Sequence, residues 1–465
     1  MVVSLVTVPI TTRLLMPQEF GKSALFTVVV ALLIRLVLLG ADQSFVRKYF
    51  EQPSRQGLRK LLWSSLFTPL TLAFVVLLLI YAFRTEVANY LIEENDLRVA
   101  YMLMATTFVG FLDTFSINVV RMAKKAKAFS ALNIVRAIIQ MSAVISYAIW
   151  IEPSFYAVLV SVFLGHLCSL ILGIWLEQDI WFPNFRVDFQ EIKELLTFGM
   201  PYVPTFLLIW LLQGMDSVAL KEYSTFEQLG IYNAAFKLVA LLNVAKASFI
   251  DFWIPVSLEH FEKNRDDRRF YARISFLVSF ITFILSTAVL ATAPFFIYLL
   301  GSEYRDSLYV MPFLIFVPLF NLLSELTGRG IGFMKRTKYN LYSAFWAALV
   351  NLILNFLLIP ILGALGAAIG TAAAYFAFFY FKTYYSQVLF KIPFPLNLIF
   401  SSLAVVLFTC TSIVVFRPSG FLFSVSVSLC STAIFILYNK GRRNKVLSIL
   451  LYRPIMNHFF NTSKT

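Results

Sequence analysis

The chain has 465 residues, 59% of them hydrophobic and only 14% charged, with a formal charge of +14. Soluble domains carry about 25% charged residues, so a chain this apolar cannot hide its side chains in one water-soluble core and needs lipid as solvent. The basic balance has no compact basic domain behind it to grip nucleic acid, so its Lys and Arg are read for membrane orientation.

A helix needs about 20 apolar residues to cross the hydrocarbon. Fourteen candidate spans follow one another: 1–15, 20–41, 60–83, 98–120, 129–151, 155–176, 196–219, 229–255, 274–299, 307–328, 340–360, 363–386, 395–416 and 420–438. The first is short, as expected if the native start lies upstream of Met1 or if this helix is truncated. Between the first two spans runs "LVTVPITTRLLMPQEFGKSALF" (5–26). Pro17 and Gly21 break the helix there, and Arg13, Glu19 and Lys22 mark the water boundary of a tight external hairpin. No basic residue precedes Arg13 and no small-residue cleavage site follows, so a signal peptide is not expected.

The charges test the alternation of the spans. The 2–3 connection carries Arg47, Lys48, Arg55, Arg59 and Lys60, and the 4–5 connection carries Arg121, Lys124, Lys125 and Lys127. Lys263, Arg265, Arg268, Arg269 and Arg273 follow span eight; Arg329, Lys335, Arg336 and Lys338 follow span ten. The tail holds Lys440, Arg442, Arg443, Lys445 and Arg453. All fall on one side, while the other is sparse or acidic, as in "TEVANYLIEENDL" at 85–97. The positive-inside rule then makes both termini cytoplasmic, in a multi-pass protein of the cytoplasmic (inner) membrane. The 6–7 connection breaks the trend, because "LEQDIWFPNFRVDFQEIKELL" (176–196) is net acidic. Its Phe185, Phe189, Ile192 and Leu196 spacing predicts a short helix on the membrane surface. A soluble loop helix is the alternative. No connection exceeds about twenty residues, too little for an extramembrane catalytic domain, so an enzyme is not expected. Cys168, Cys410 and Cys430 show no pairing pattern. His166, His260 and His458 have no metal spacing, and no cofactor is implied.

A short stretch recurs. "QEFGKSALF" (18–26) enters span two and "EQLGIYNAAF" (227–236) enters span eight, aligning Gly21 with Gly230. That sets spans one to six against seven to twelve, with two left over, the repeat architecture common in transporters.

With "PITTRLLMPQEFGKSALF", "LLGADQSFVRKYFE" (38–51) and "LTFGMPYVPTFLLIWLLQGMDSVALKEYSTFEQLGIYNAAFKL" (196–238), the chain resembles the polysaccharide-repeat (O-antigen type) flippases of the multidrug/oligosaccharidyl-lipid/polysaccharide exporter superfamily. The motifs that carry the resemblance are the Pro–x-Glu-Phe-Gly hairpin and the Asp-bearing seventh span followed by Gly-x-Tyr. The resemblance implies an all-α polytopic fold of about 14 transmembrane helices, with two six-helix lobes around a central cavity plus two extra C-terminal helices. The corresponding division is an N-terminal lobe at 1–177, a cytoplasmic interfacial connection at 178–195, a C-terminal lobe at 196–387, helices 13 and 14 at 388–438 and a basic cytoplasmic tail at 439–465. It also implies alternating access and a lipid-diphosphate-linked oligosaccharide as cargo. The bilayer and other polysaccharide-assembly membrane proteins are the implied partners. Ser217 stands where the resemblance implies a basic residue after Asp216.

Ionisable groups at membrane depth are costly and face a cavity or a partner. On these spans they are Arg35, Asp113, Arg136, Asp216, Lys237, Lys246, Asp251 and Glu325, with Arg13 at the outer boundary. At 100° per residue, Asn133, Arg136 and Gln140 form one stripe, and Asn233, Lys237, Ser248 and Asp251 share a face of span eight. Arg35 and Asp42 lie two turns apart on one face, and Glu325 and Arg329 are spaced i,i+4. The guanidinium fork of Arg matches phosphate oxygens. The expected substrate ligands are therefore Arg35, Arg136, Lys237, Arg13 and Lys246 for the diphosphate, with Asn133, Gln140 and Asn233 beside them. Asp113, Asp216, Asp251 and Glu325 are candidates for a coupling proton or cation, and pairing between these cations and acids is the plainer alternative. Pro201 and Pro204 predict a kink in span seven, and Gly366, Gly370 and Ala374 a small-xxx-small packing face. The rival functions are a drug/cation antiporter or lipid II flippase of the same superfamily, and, from another class, a membrane polysaccharide polymerase.

Overall fold

In the computed structural model the described residues are 2–52, 54–182, 187–239, 242–265 and 267–416, with Ser426, Leu429, Cys430 and Ala433 beyond them. The fourteenth span (420–438), the tail and Phe185 lie outside this set, apart from those four residues. All regular structure among the described residues is helical. The chain runs through α1 (Val2–Leu14), α2 (Pro17–Leu38), α3 (Ala41–Lys48), α4 (Arg55–Ala82), α5 (Arg84–Ile92), α6 (Leu97–Met122) and α7 (Ala126–Trp150). It continues through α8 (Tyr156–Leu176), α9 (Gln178–Trp181), α10 (Phe189–Gly199), α11 (Val203–Tyr223), α12 (Phe226–Val239) and α13 (Leu242–Lys263). The remainder is α14 (Arg268–Leu299), α15 (Ser307–Leu314), α16 (Phe316–Thr327), α17 (Arg329–Phe333), α18 (Lys338–Leu362), α19 (Ala364–Leu389) and α20 (Leu396–Phe416). Two compact units result, Met1–Asn233 and Ala234–Thr465, dividing within α12.

Among the described residues, eleven helical segments are long and apolar enough to cross a membrane. Side chains such as Phe74, Leu78, Trp150, Phe356 and Ile361 stand exposed on them; in water such a surface would drive aggregation, whereas lipid covers it. The chain is a multi-pass membrane protein. The eighth span is occupied by α12 and α13, which flank residues 240–241, outside the described set. The face expected to join Lys237 to Asp251 crosses that interval.

In the first unit, α2 opens with Pro17 in its first turn, where the missing N–H costs nothing. Glu19 Oε2 accepts from the Phe155 N–H at 2.8 Å. The Lys22 ammonium, buried, meets Glu94 at 2.7 Å and Glu19 at 3.7 Å. The hairpin motif is thus an anchored structure. Gly21 and Gly230 explain the recurring stretch. A Cβ on Gly21 would lie 1.9 Å from the Phe226 carbonyl oxygen, and one on Gly230 would lie 1.9 Å from the Pro17 carbonyl oxygen. Each glycine faces the carbonyl four residues before the other, so the starts of α2 and α12 cross backbone to backbone with pseudo-twofold symmetry.

Span two ends earlier than expected. Leu39 (φ 46°) and Gly40 (φ 77°) turn the chain out of the helix, so Arg35 and Asp42 do not share one helix as the periodicity predicts. Gly40 also has Gly199 against it, where a Cβ would lie 2.2 Å from the Gly199 carbonyl oxygen. Ser44 Oγ donates to the Leu195 carbonyl at 2.6 Å. These contacts seat α10 on α3, with Ile192 and Leu195 buried and Phe189 exposed but edge-on to Phe67. A 3₁₀ turn at Met200–Tyr202, holding Pro201, separates α10 from α11, and Pro204 opens α11. The predicted kink falls there.

The acidic 6–7 connection is neutralised by the basic ones. Glu177, buried, takes Arg55 at 3.1 Å and Lys125 at 2.7 Å. Lys48 meets Glu194, and Lys60 meets Asp188, each at 2.5 Å. The Lys60 hydrogen bond holds the Asp188 carboxyl below its usual range. The 2–3, 4–5 and 6–7 connections therefore meet at one end of the unit.

In the second unit α14 packs on α16 and α20, and α18 lies along α19. The predicted small-residue face is where the last two meet: Gly366 abuts the Leu358 backbone and Gly370 the Asn355 side chain, with Ala374 buried.

Candidate functional site

Three helices of the first unit bring together a charged cluster at membrane depth. Asp113 on α6, Arg136 on α7 and His166 on α8 each fall in the middle third of their helix. Asp113 Oδ2 accepts from Arg136 Nη1 at 3.0 Å and from His166 Nδ1 at 2.8 Å. Arg136 Nη2 stands 3.0 Å from His166 Nε2. The Asp113 side chain is 1% exposed and that of Arg136 is 26% exposed. Asp113 Oδ1 is buried without a hydrogen-bond partner. Small residues allow the approach: a Cβ on Gly110 would meet Ile34, and one on Gly165 would meet Gln140. The carboxylate can only accept and the guanidinium can only donate. One imidazole tautomer satisfies both, with the proton on Nδ1 and the lone pair of Nε2 facing Arg136. The triad then carries one negative and one positive charge.

A second cluster lies in the other unit. Glu325 on α16 pairs with Arg329, as the i,i+4 spacing predicts, and Lys382 on α19 reaches Glu325 Oε1 at 2.8 Å. Lys246 on α13 feels the charges of both Glu325 and Lys382. Two cations thus share one carboxylate, and Lys246 adds a third positive charge within range of it. A third arrangement explains the Gly-x-Tyr motif after the seventh span: the Tyr232 hydroxyl donates to buried Asp216 at 2.5 Å.

Of the other candidates, Arg35, Asn133 and Asn233 make contacts outside these clusters. Arg35 is 3.5 Å from Asp42 and stacks over Phe206. Arg13, Lys237 and Asp251 are exposed. Asn133 and Asn233 each donate to a carbonyl of their own helix, of Phe129 and Leu229. Gln140 packs on Gly165, one turn from Arg136. Sequence reasoning missed His166, Lys382 and Tyr232. A polar residue in the middle of an apolar span was the available signal for the first.

The fold is shared with solved structures of a lipid flippase and of multidrug transporters. The chain superposes on the lipid II flippase MurJ in an inward closed conformation with a TM-score of 0.70 at 14% identity, covering 96% of this chain and 97% of that one. An inward-facing multidrug resistance MATE family transporter of the MOP superfamily gives 0.62 at 14% identity, covering 84% and 96%. An uncharacterized membrane protein of Methanocaldococcus jannaschii is 24% identical over 390 residues, 78% of this chain and 76% of that one. The chain belongs to the polysaccharide biosynthesis protein family, whose sequence pattern matches residues 1–261.

Proposed function

We propose that the protein is a flippase that carries a lipid-diphosphate-linked oligosaccharide across the cytoplasmic membrane by alternating access, for surface polysaccharide biosynthesis. The observation that carries this reading is membership of the polysaccharide biosynthesis family on a fold shared over nearly its whole length with a lipid II flippase. The charge pattern supports it. Arg136 sits at membrane depth in a partly exposed position, and Lys246, Arg329 and Lys382 outnumber the one acid among them. Cations in excess suit an anionic head group better than a cationic drug. In this reading Arg136 is the principal diphosphate ligand of the first unit, with Arg13 and Arg35 as further candidates there and Asn133, Gln140 and Asn233 available to sugar hydroxyls, while Lys237 and Lys246 are the candidates of the second unit. Asp113 is the preferred coupling acid of the four, because its Oδ1 is buried without a hydrogen-bond partner, whereas each oxygen of Glu325 meets a cation. Asp216 and Asp251 complete the set. Division into lobes at 1–177 and 196–387, with cytoplasmic termini, is part of the same proposal.

A lipid II-type cargo is the second reading, favoured by the more complete superposition on MurJ than on the MATE transporter. The test is surface glycan in cells carrying Arg136→Ala or Lys237→Ala. Each substitution should lower it while the protein remains folded and inserted, since one charge-assisted contact contributes about 1.5–3 kcal/mol. Full glycan in the double variant would overturn the assignment of these cations.

A further inference from the structure

We propose that His166 is a proton-operated latch on Arg136, so that anion binding at Arg136 is accompanied by uptake of one proton. The inference rests on the reading of Arg136 as a diphosphate ligand and adds the group that controls it.

The geometry carries the argument. With His166 neutral, Nδ1–H donates to Asp113 Oδ2 and Nε2 accepts from Arg136 Nη2. Arg136 is then bound twice, to Oδ2 and to Nε2, and the triad is electrically balanced. A proton arriving from water on Nε2 turns that acceptor into a donor. Arg136 has no lone pair to offer it, so this bond is lost and two positive groups face each other at hydrogen-bond distance. The imidazolium, still bonded through Nδ1, now supplies the counter-charge that Asp113 took from Arg136. Both changes loosen the guanidinium. The triad gains one net positive charge, and Arg136, already the most exposed of the three, is the member that can turn toward an anion. Linkage makes the effect reciprocal: if the proton favours the anion, the anion favours the proton.

Among the described residues, the charged side chains in hydrogen-bond contact with the ring are Asp113 and Arg136. Asp113 comes from α6 and Arg136 from α7, with uncharged Gln140 a turn away. From α2 the near residue is Ile34, which meets Gly110 beside the imidazole. The charged side chains of α2 are engaged elsewhere: Glu19 with Phe155, Lys22 with Glu94, and Arg35 with Asp42. Asp179 on α9 lies beyond the end of α8, whose ten residues after His166 alone span about 15 Å at 1.5 Å per residue.

The experiment is calorimetry of farnesyl diphosphate binding to the full-length protein in detergent. Two buffers of different ionisation enthalpy at neutral pH give the protons taken up per ligand bound. His166→Gln keeps one donor and one acceptor, so it preserves the neutral triad without the titrating site. Wild type should take up close to one proton more than this variant, and the ratio of its affinity to the variant's should rise on acidification by up to about tenfold per pH unit. Equal proton uptake in both proteins overturns the latch and leaves the diphosphate reading standing. Absence of binding to wild type at any pH overturns both. If His166→Gln does not fold, Arg136→Gln serves instead, because it leaves His166 nothing to release. It should bind at least about tenfold more weakly and lose the extra proton, and retention of that proton overturns the latch.

Discussion

Replacing Gly21 by alanine places a methyl group 1.9 Å from the Phe226 carbonyl oxygen, 2.9 Å from its carbon and 3.1 Å from the Gly230 nitrogen. Carbon–oxygen contacts settle at about 3.3–3.6 Å, so the starts of α2 and α12 must part by roughly 1.5 Å. All three obstructing atoms are backbone, and no rotamer change relieves them. Overpacking of this kind costs about 1–3 kcal/mol. Gly230→Ala meets the Pro17 carbonyl in the same way and should cost a similar amount. The two sites share one contact, and the separation forced by either methyl makes room for the other. Their effects should therefore fall well short of additive. Thermal unfolding in detergent, followed by size-exclusion fluorescence, measures this. Each single variant should unfold at a lower temperature than wild type, and the double variant close to the worse single one. An unchanged melting temperature for either single variant, or full additivity in the double, would refute the backbone crossing as the reason these glycines recur.

Asp113→Asn leaves the largely buried Arg136 guanidinium without its counter-charge, which should destabilise the protein by up to about 3 kcal/mol in the same assay, less than a fully buried pair because Arg136 is partly exposed. Cysteines at Glu93 and Lys127, in a background lacking Cys168, Cys410 and Cys430, should label from opposite sides of the membrane; Glu94 and Lys125 are avoided because they hold Lys22 and Glu177. Asp96, just before the first turn of α6, is pulled down to about 2, chiefly by its hydrogen bonds with Arg98. A depressed carboxyl stabilises the fold above its unfolded value of about 3.9 and loses that contribution as pH falls through about 2. Asp96→Asn should therefore remove part of the acid-side slope of stability and leave the neutral range with a constant offset.

The spans were legible because a 20-residue apolar run has few other uses. Thirteen of the fourteen expected positions hold helices among the described residues, while the fourteenth lies almost wholly outside them. Pro17 at a helix start and the pairing of Gly21 with Gly230 also read correctly, whereas Gly21 does not break the helix as expected but lies inside α2, where it admits the backbone of α12, and Lys22 is buried rather than at a water boundary. Helix ends were less legible. Leu39 adopts a left-handed conformation that its residue type does not advertise, so the helix of span two stops at Leu38, short of the apolar run's end. The partners of the buried charges were least legible. Asp113 and His166 are 53 residues apart, and Glu325 and Lys382 are 57 apart. Which groups meet depends on the rotation and depth of each helix, set by packing such as Gly110 on Ile34 rather than by spacing along one strip of sequence. The acidic 6–7 connection looked inconsistent with the basic loops for the same reason: Glu177 is the buried partner of two of those basic residues.

The central claim is tested most directly by flipping of a lipid-diphosphate-linked oligosaccharide in proteoliposomes, with the pH gradient, sodium gradient and membrane potential each set independently. The account predicts protein-dependent translocation that is lost in Arg136→Ala, responds to the pH gradient at fixed potential, and is abolished by an amide at Asp113 without loss of substrate binding. Translocation no faster than in protein-free vesicles would contradict the flippase reading. Translocation that ignores every ion gradient and persists in the amide variants of Asp113, Asp216, Asp251 and Glu325 would contradict ion coupling and leave export driven by the potential alone.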